Sequence, residues 1–325
     1  MINAAIVGLG RWGQAHLNAV QGKSRRIRFV HGVSKEPGEA REIATKHGIR
    51  LSTDLADVLA DPEVDAVFLA TPHSVHVEQV IAVARAGKPV WCEKPLALTV
   101  KEARRALDAV RSAGVPLASG NNKRCFASMR ALRQVVERGE IGEILHIEGH
   151  YSNEHSTRTA PGGWRDDPGQ SPAAGLTGAG IHIVDAFVSL AGALARIDAR
   201  VFSRRAHPDP RDSLAVLAQF TSGATGLMGT VRASPMLWRV HVFGTKGAAE
   251  ARGEDELIVT KIGGKPQSQT FASVDSLREL AESFADAVEG KAPFLVSPKE
   301  MLATVAGIEG IVNSVALGNP VVIAN

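Results

Sequence analysis

The sequence predicts two domains in series: an α/β domain built as a doubly wound parallel sheet, then an α+β domain on a large open, mostly antiparallel sheet. From Ile2 to about Ser119, short runs rich in Val, Ile and Ala alternate with helix-period segments. That is the pattern of a parallel sheet covered by helices on both faces. Beyond Asp198 the strand-like runs follow one another with only turn residues between them, Gly263-Gly264 among them, as antiparallel neighbours do. A length of 325 residues also exceeds what one hydrophobic core usually organises. The expected boundary lies near residue 120, giving domains 1–120 and 121–325.

In the first domain the expected strands are Ile2 to Val7, Ile27 to Val33, Ala66 to Ala70, Pro89 to Cys92 and Pro116 to Ala118. Helices are expected to begin near Trp12, Glu36, Leu55, Val75 and Val100. Thr99 with Glu102 three residues later has the form of a capping box, and Gly87 and Gly114 fall where helix C-caps should precede the next strand. After Gly120 come an amphipathic helix from Phe126 to Glu137, a strand near Ile144 to Tyr151, and a polar segment from Asn153 to Ala174 too long to be idle. A helix from His182 to Leu190 follows, then strands at Asp198 to Ser203, Leu214 to Thr221, Thr225 to Val231, Trp238 to Phe243 and Leu257 to Ile262. Two helices close the chain, near Ser276 to Glu289 and after Ser297-Pro298-Lys299-Glu300. In the second of these, Ser is placed to cap, Pro to take the first turn and Glu to cap reciprocally.

Composition narrows the function. The 37 basic and 34 acidic residues are mixed along the chain, so no basic stripe for nucleic acid is expected. The two cysteines, Cys92 and Cys125, fit a reducing cytoplasm and read as buried thiols. The N-terminal run enters glycines directly instead of a cleavable leader, and no apolar stretch is read as approaching the ~20 residues that span a bilayer. A cytoplasmic protein without membrane partners is expected. The eleven histidines are scattered, with His73 and His76 the closest pair of note, and no metal site is expected.

Gly8, Gly10 and Gly13 form G-x-G-x-x-G directly after the first strand and at the start of a helix. In that context the first glycine permits a tight turn, the second lets a pyrophosphate approach the backbone, and the third lets the helix pack closely. The reading is a Rossmann dinucleotide site, with Arg11 and Trp12 in the same loop facing the cofactor. The second strand ends Val33-Ser34-Lys35. Ser34 lacks the carboxylate that would repel a 2′-phosphate and Lys35 supplies a cation, so NADP is preferred and NAD is possible; the alternative is that Glu36 turns in to serve the ribose. Two further segments lie at the carboxyl ends of parallel strands, where ligands bind in such sheets. They are Thr71-Pro72-His73-Ser74-Val75-His76 and Glu93-Lys94-Pro95. A rim lysine such as Lys94 can donate to a substrate oxygen or move a proton.

Together with Gly180-Ile181-His182-Ile183-Val184-Asp185, these motifs resemble the Gfo/Idh/MocA family of NAD(P)-dependent oxidoreductases over essentially the whole chain. The resemblance implies a Rossmann domain followed by an open-sheet domain that commonly mediates dimers or tetramers. It also implies hydride transfer between nicotinamide and a carbinol carbon of a sugar, cyclitol or related polyol. Lys94 matches the family lysine that hydrogen-bonds the reacting oxygen, and His182 the histidine that exchanges its proton. Thr71, Pro72, His73, His76, Glu93 and Lys94 fall on the cofactor side. Asn122 and Arg124 match a segment that lines the pocket, and Trp164 and Arg165 a pair in the loop before the catalytic helix. Tyr151, Lys123, His155 and Arg158 add to a polar, cationic lining suited to hydroxyls or an anionic group.

One position departs from the family pattern. Relatives often carry Asp four residues before the histidine, where this chain has Gly178. Asp185, three residues after His182, or a carboxylate of the substrate, is the expected substitute for orienting the imidazole. Two alternatives follow: a dehydrogenase of a cyclic dihydrodiol or carboxylated ring, and a dinucleotide-binding regulator without turnover. An exposed open sheet would be a liability, so a homodimer or homotetramer through that sheet is expected.

Overall fold

The computed structural model describes residues 1–154, 164–165, 167–173, 175–202 and 213–323. The chain runs β1 (Ile2–Val7), α1 (Arg11–Val20), β2 (Ile27–Val33), α2 (Pro37–His47), β3 (Arg50–Ser52), α3 (Leu55–Ala60), β4 (Ala66–Leu69), α4 (His76–Arg85), β5 (Val90–Cys92), α5 (Val100–Ala113) and β6 (Leu117–Ser119). It continues through α6 (Ala127–Glu137), β7 (Ile144–Ser152), α7 (Ile181–Ala191), β8 (Leu194–Phe202), β9 (Ser213–Phe220), β10 (Thr225–Val231) and β11 (Leu237–Gly244). It ends with β12 (Gly247–Arg252), β13 (Glu256–Lys261), β14 (Gln267–Thr270), α8 (Ser276–Val288), α9 (Pro298–Leu317) and β15 (Val321–Val322).

Two compact units result: Met1–Asn122 with Asp275–Pro298, and Lys123–Val274 with Lys299–Asn325. The sequence reading placed a single boundary near residue 120; the observed units are discontinuous, because the chain returns to the first with α8.

In the first unit the strands pair in parallel in the order β3-β2-β1-β4-β5-β6. The order reverses at β1, and in doubly wound sheets ligands bind at that switch point. Strands β1 and β4 are buried on both faces, which is why they read as continuous apolar runs. Phe68 of β4 stacks on Trp91 of β5 at 4.9 Å between centroids, and Phe29 and Phe284 meet Phe68 edge-on at 5.1 and 5.6 Å. Phe284 belongs to α8, so this helix completes the aromatic core. Arg26 ties α8 down through Asp286 and Glu289, at 2.5 and 2.6 Å. The expected caps form: Thr99 accepts from the Glu102 amide, and Gly114 ends α5 at φ 66°.

In the second unit the described strands form a nine-stranded sheet, β14-β13-β12-β11-β7-β10-β9-β8-β15. Only β10 and β7 pair in parallel among these. Along β9, Leu214, Val216, Ala218 and Phe220 are buried while Ala215, Leu217 and Gln219 face out, the alternation of a sheet covered on one side. Helices α6, α7 and α9 lie on the covered side; Gly307 of α9 lets it approach Val184 and Leu194, where a Cβ would sit 2.7 and 2.9 Å away. At twenty residues, α9 is long and apolar enough to cross a membrane, contrary to the expectation that no such stretch exists. Met301, Thr304, Val305, Ile308 and Ile311 are nevertheless buried within the unit, which makes it a core helix.

Candidate functional site

The glycine loop leads from β1 into α1. Gly8 has φ +92°, and a Cβ there would meet the Ala70 carbonyl oxygen at 2.6 Å; a Cβ on Gly13 would lie 1.9 Å from the Gly8 oxygen. Both positions admit only glycine. A Cβ on Gly10 would meet nothing within 4 Å, so its backbone faces open space, as a pyrophosphate approach requires. Gly10 precedes α1 without a side-chain cap and no acidic residue stands in the first turn, leaving the helix N-terminus suited to an anion. Arg11 is exposed and lies 5.5 Å from the Trp12 ring.

At the end of β2, the Ser34 hydroxyl donates to the Glu36 carbonyl at 3.0 Å and accepts from the Glu36 amide at 3.3 Å. Ser34 hydrogen-bonds into its own turn and contributes no negative charge, while Lys35 and Glu36 are both exposed.

Thr71, Pro72 and His73 follow β4, with Thr71 donating to the Gln79 side chain at 2.6 Å and His73 tilted 5.8 Å from His76. His76 is fully buried; Nε2 lies 2.9 Å from the Thr71 carbonyl and Nδ1 2.8 Å from that of Pro95. Burial lowers its imidazole from the ordinary value against the pull of those two carbonyls. His76 therefore braces the loop after β4 against the loop after β5, with both ring nitrogens engaged by carbonyls.

Glu93, Lys94 and Pro95 follow β5. Lys94 is buried, with Nζ 5.8 Å from the Trp12 ring. Glu93 turns inward to His16 of α1, Oε1 lying 2.7 Å from Nε2. Burial alone would raise the Glu93 carboxyl; the hydrogen bond from His16 first, then the electrostatic pull of the His16, Lys94 and His76 side chains, outweigh it and hold the group below the ordinary carboxylate value. His16 escaped the sequence reading, although an isolated histidine three residues after the last glycine of the loop, on the apolar face of α1, was its signal. Asn122 donates to the Ser276 hydroxyl at the start of α8, at 2.8 Å.

In the second unit, His182 lies in the first turn of α7, buried, with the Tyr151 ring edge-on at 5.8 Å. Tyr151 in turn meets Trp238 at 5.6 Å. Lys123 holds its ammonium 4.1 Å from the Phe126 ring and 5.4 Å from that of Tyr151. Burial, only partly opposed by Glu254, pushes this amine down to about 8. Arg165 stacks on Trp164 at 4.1 Å. His155 and Arg158 lie outside the described residues.

Two expectations are corrected here. The Asp185 carboxylate does not serve His182: both its oxygens are taken by Arg124, at 2.9 Å from Nε and 2.7 Å from Nη2. Arg124 is not a pocket-lining donor, because its remaining arm binds Glu300 at 2.6 Å and the whole group is buried. Burial would lower the guanidinium, but the two carboxylates, Asp185 foremost, raise it, so the pair stays ionised. Glu300, in the first turn of α9, is thus also a partner of Arg124. Gly178 stands in a π-type turn, Leu176–Gly180, and a Cβ there would meet nothing within 4 Å.

Comparison with known proteins agrees with this arrangement. Residues 2–121 match the GFO/IDH/MocA oxidoreductase family, NAD-binding Rossmann fold, and residues 129–250 match the GFO/IDH/MocA C-terminal domain. The uncharacterized oxidoreductase YrbE of Bacillus subtilis is 30% identical over 267 residues, covering 77% of this chain and 73% of that protein. Inositol 2-dehydrogenase of Rhizobium meliloti is 28% identical over 337 residues, covering 97% of each. A crystal structure from Desulfitobacterium hafniense, provisionally named as an NADPH-dependent oxidoreductase, superposes with a TM-score of 0.89 at 25% identity, over 99% of this chain and 97% of that one. The glycine loop at the switch point, the Glu93-Lys94-Pro95 loop beside it and the open-sheet second unit are those of an NAD(P)-dependent dehydrogenase or reductase, and the chain belongs to the GFO/IDH/MocA oxidoreductase family.

Proposed function

We propose that this oxidoreductase transfers hydride between a nicotinamide cofactor, NADP in preference to NAD, and a carbinol or carbonyl carbon of a sugar, cyclitol or related polyol. The observation that carries the reading is the placement of Lys94: a buried amine in a loop braced by His76 and His16, at the carboxyl end of β5. Gly8, Gly10 and Gly13, with Arg11 and Trp12, fit a dinucleotide pyrophosphate because Gly10 leaves open space above the start of α1. Ser34 and Lys35 fit a 2′-phosphate, one by bringing no carboxylate and the other by its exposed cation. When bound, the nicotinamide supplies the hydride acceptor or donor. Lys94 donates to the substrate oxygen and stabilises the negative charge that develops there as hydride leaves the carbon. On the second unit, His182 takes the proton from that oxygen during oxidation and returns it during reduction. Thr71, Pro72 and His73 border the cofactor side, and Asn122, Tyr151, Trp164 and Arg165 are candidates for shaping substrate access.

The test is kinetic. Lys94→Ala should lower kcat by about two to four orders of magnitude while cofactor affinity survives; a variant that turns over normally removes Lys94 from the mechanism. A paired titration should show tighter binding of NADPH than NADH, and Ser34→Asp should reverse the order by setting a carboxylate against the 2′-phosphate. Equal affinities in both proteins would remove Ser34 and Lys35 from the cofactor site.

A second reading rests on Lys123. Its amine lies against two aromatic faces and, among the described residues, has no carboxylate within ion-pair distance, which favours a substrate whose ring carries an acid group. Such a substrate would show a KM that rises as the pH passes about 8, and Lys123→Met would abolish that step.

The outward face of the nine-stranded sheet presents Leu217 opposite Leu227, 53% and 47% exposed. We infer a homodimer or homotetramer through this face, a mass measurable by analytical ultracentrifugation. A monomer at micromolar concentration would overturn that inference.

A further inference from the structure

Glu93 holds a charge that the roles above leave unused. Its side chain is 6% exposed and that of His16 is fully buried. Oε1 takes the His16 bond and Oε2 accepts from the Lys94 amide at 3.3 Å. The carboxylate fits only because residue 120 is glycine, where a Cβ would fall 2.5 Å from Oε1. His16 is itself fixed edge-on against Trp91 and Phe68, at 5.3 and 5.8 Å.

The protonation of the pair follows from its partners. Nδ1 of His16 is buried and has no hydrogen-bond partner among the described residues. A protonated ring would bury an N–H donor there with no acceptor, so the neutral tautomer that donates from Nε2 to an ionised Glu93 is favoured. The pair thus carries one net negative charge out of reach of water, a costly arrangement without a counter-cation. The other titratable groups acting on it are His76 from α4, Cys92 from β5 and Lys94 itself. Burial keeps His76 neutral, and burial first, with Glu93 second, holds the Cys92 thiol well up. Of these groups, Lys94 is left to provide the positive charge.

We propose that Glu93, held in place by His16, is a positioning residue that supplies the buried counter-charge of the Lys94 ammonium. The proposal rests on the reading of Lys94 as the residue that meets the substrate oxygen. It makes Lys94 a standing cation and hydrogen-bond donor at neutral pH, and it leaves proton exchange with the substrate to His182.

The proposal can be tested without turnover, by NMR of protein carrying 13Cε-lysine and 13Cδ-glutamate, with Lys94 assigned from Lys94→Arg and Glu93 from Glu93→Gln. In the wild type the Glu93 carboxyl should stay ionised down to about pH 5; a carboxyl protonated at pH 7 overturns the proposal without any variant. Glu93→Gln should lower the Lys94 midpoint by about one pH unit, a roughly tenfold rise in neutral amine at a given pH. His16→Asn should bring the Glu93 carboxyl into the titration range and move Lys94 the same way. A folded variant with the Lys94 midpoint unchanged refutes the proposal, since a merely structural pair would alter melting and leave that midpoint alone. If Lys94→Ala retained full turnover, the catalytic reading would fall while the measured coupling of Glu93 to Lys94 would still stand or fall by itself.

Discussion

Asp185 and Arg124 show what a fork of charge does when water is excluded. The bidentate pair joins α7 to the turn before α6, with Glu300 from α9 completing it. Removing one partner leaves the other charged, buried and short of acceptors. Asp185→Asn should therefore destabilise the fold by roughly 3 kcal/mol, read as a drop in denaturation midpoint with the slope unchanged. The fraction that remains folded should keep its KM, because neither group is available to a ligand. An altered KM with normal stability would return Asp185 to the reacting site. The sequence placed these two residues near the chemistry and missed that they belong to each other, since no spacing relates position 124 to 185. The positions of Lys94 and the glycines were legible for the opposite reason: they follow from local chain geometry at strand ends.

At the scale of elements, Gly178 is the informative departure. It precedes α7 in a wide turn with open space where a Cβ would project. Gly178→Asp should fold without steric cost and gain about 0.3–1 kcal/mol from a carboxylate near a helix N-terminus. If the missing carboxylate limits His182, the same variant should raise kcat on polyols several-fold; an unchanged kcat would show that His182 works without it. Elements that were read correctly share strong period and clear punctuation, as α5 does between Thr99 and Gly114. Those that were missed lack both. Strand β12, Gly-Ala-Ala-Glu-Ala-Arg, has the composition of a helix, and becomes a strand because small Ala249 and Ala251 fit beneath α6 while β11 and β13 pair on either side. Strand β3 is three residues long, and β14, Gln-Ser-Gln-Thr, is wholly exposed, its strand character coming from pairing with β13 alone.

For the molecule as a whole, one buried and two half-buried histidines weaken the fold on acidification. Burial holds His76, His150 and His241 below the ordinary value of 6.5 in the folded state. As the pH falls through that value the unfolded chain takes up protons that the folded chain refuses, so the contribution of these rings is fully present above about pH 6.5 and is lost progressively below it. Glu93, held below 4.5, adds a contribution present above that pH and lost as its carboxyl protonates. The melting temperature should thus fall between pH 7.5 and 5.5, and His76→Gln should flatten that fall. A melting temperature that rises on acidification would contradict the lowered proton affinity of these rings in the folded state.

The return of α8 to the first unit sets the order in which the chain can be made and cut. Phe284 closes over Phe68 and Trp91, and Arg26 waits for Asp286 and Glu289, partners more than 250 positions later in sequence. A ribosome that has released only residues 1–122 has made every strand of the parallel sheet and none of the helix that seals its aromatic core. The nascent domain must keep that face from aggregating until most of the chain has emerged. No single cleavage can separate the nucleotide-binding unit intact, and a fragment ending at Asn122 lacks the helix that completes its aromatic core.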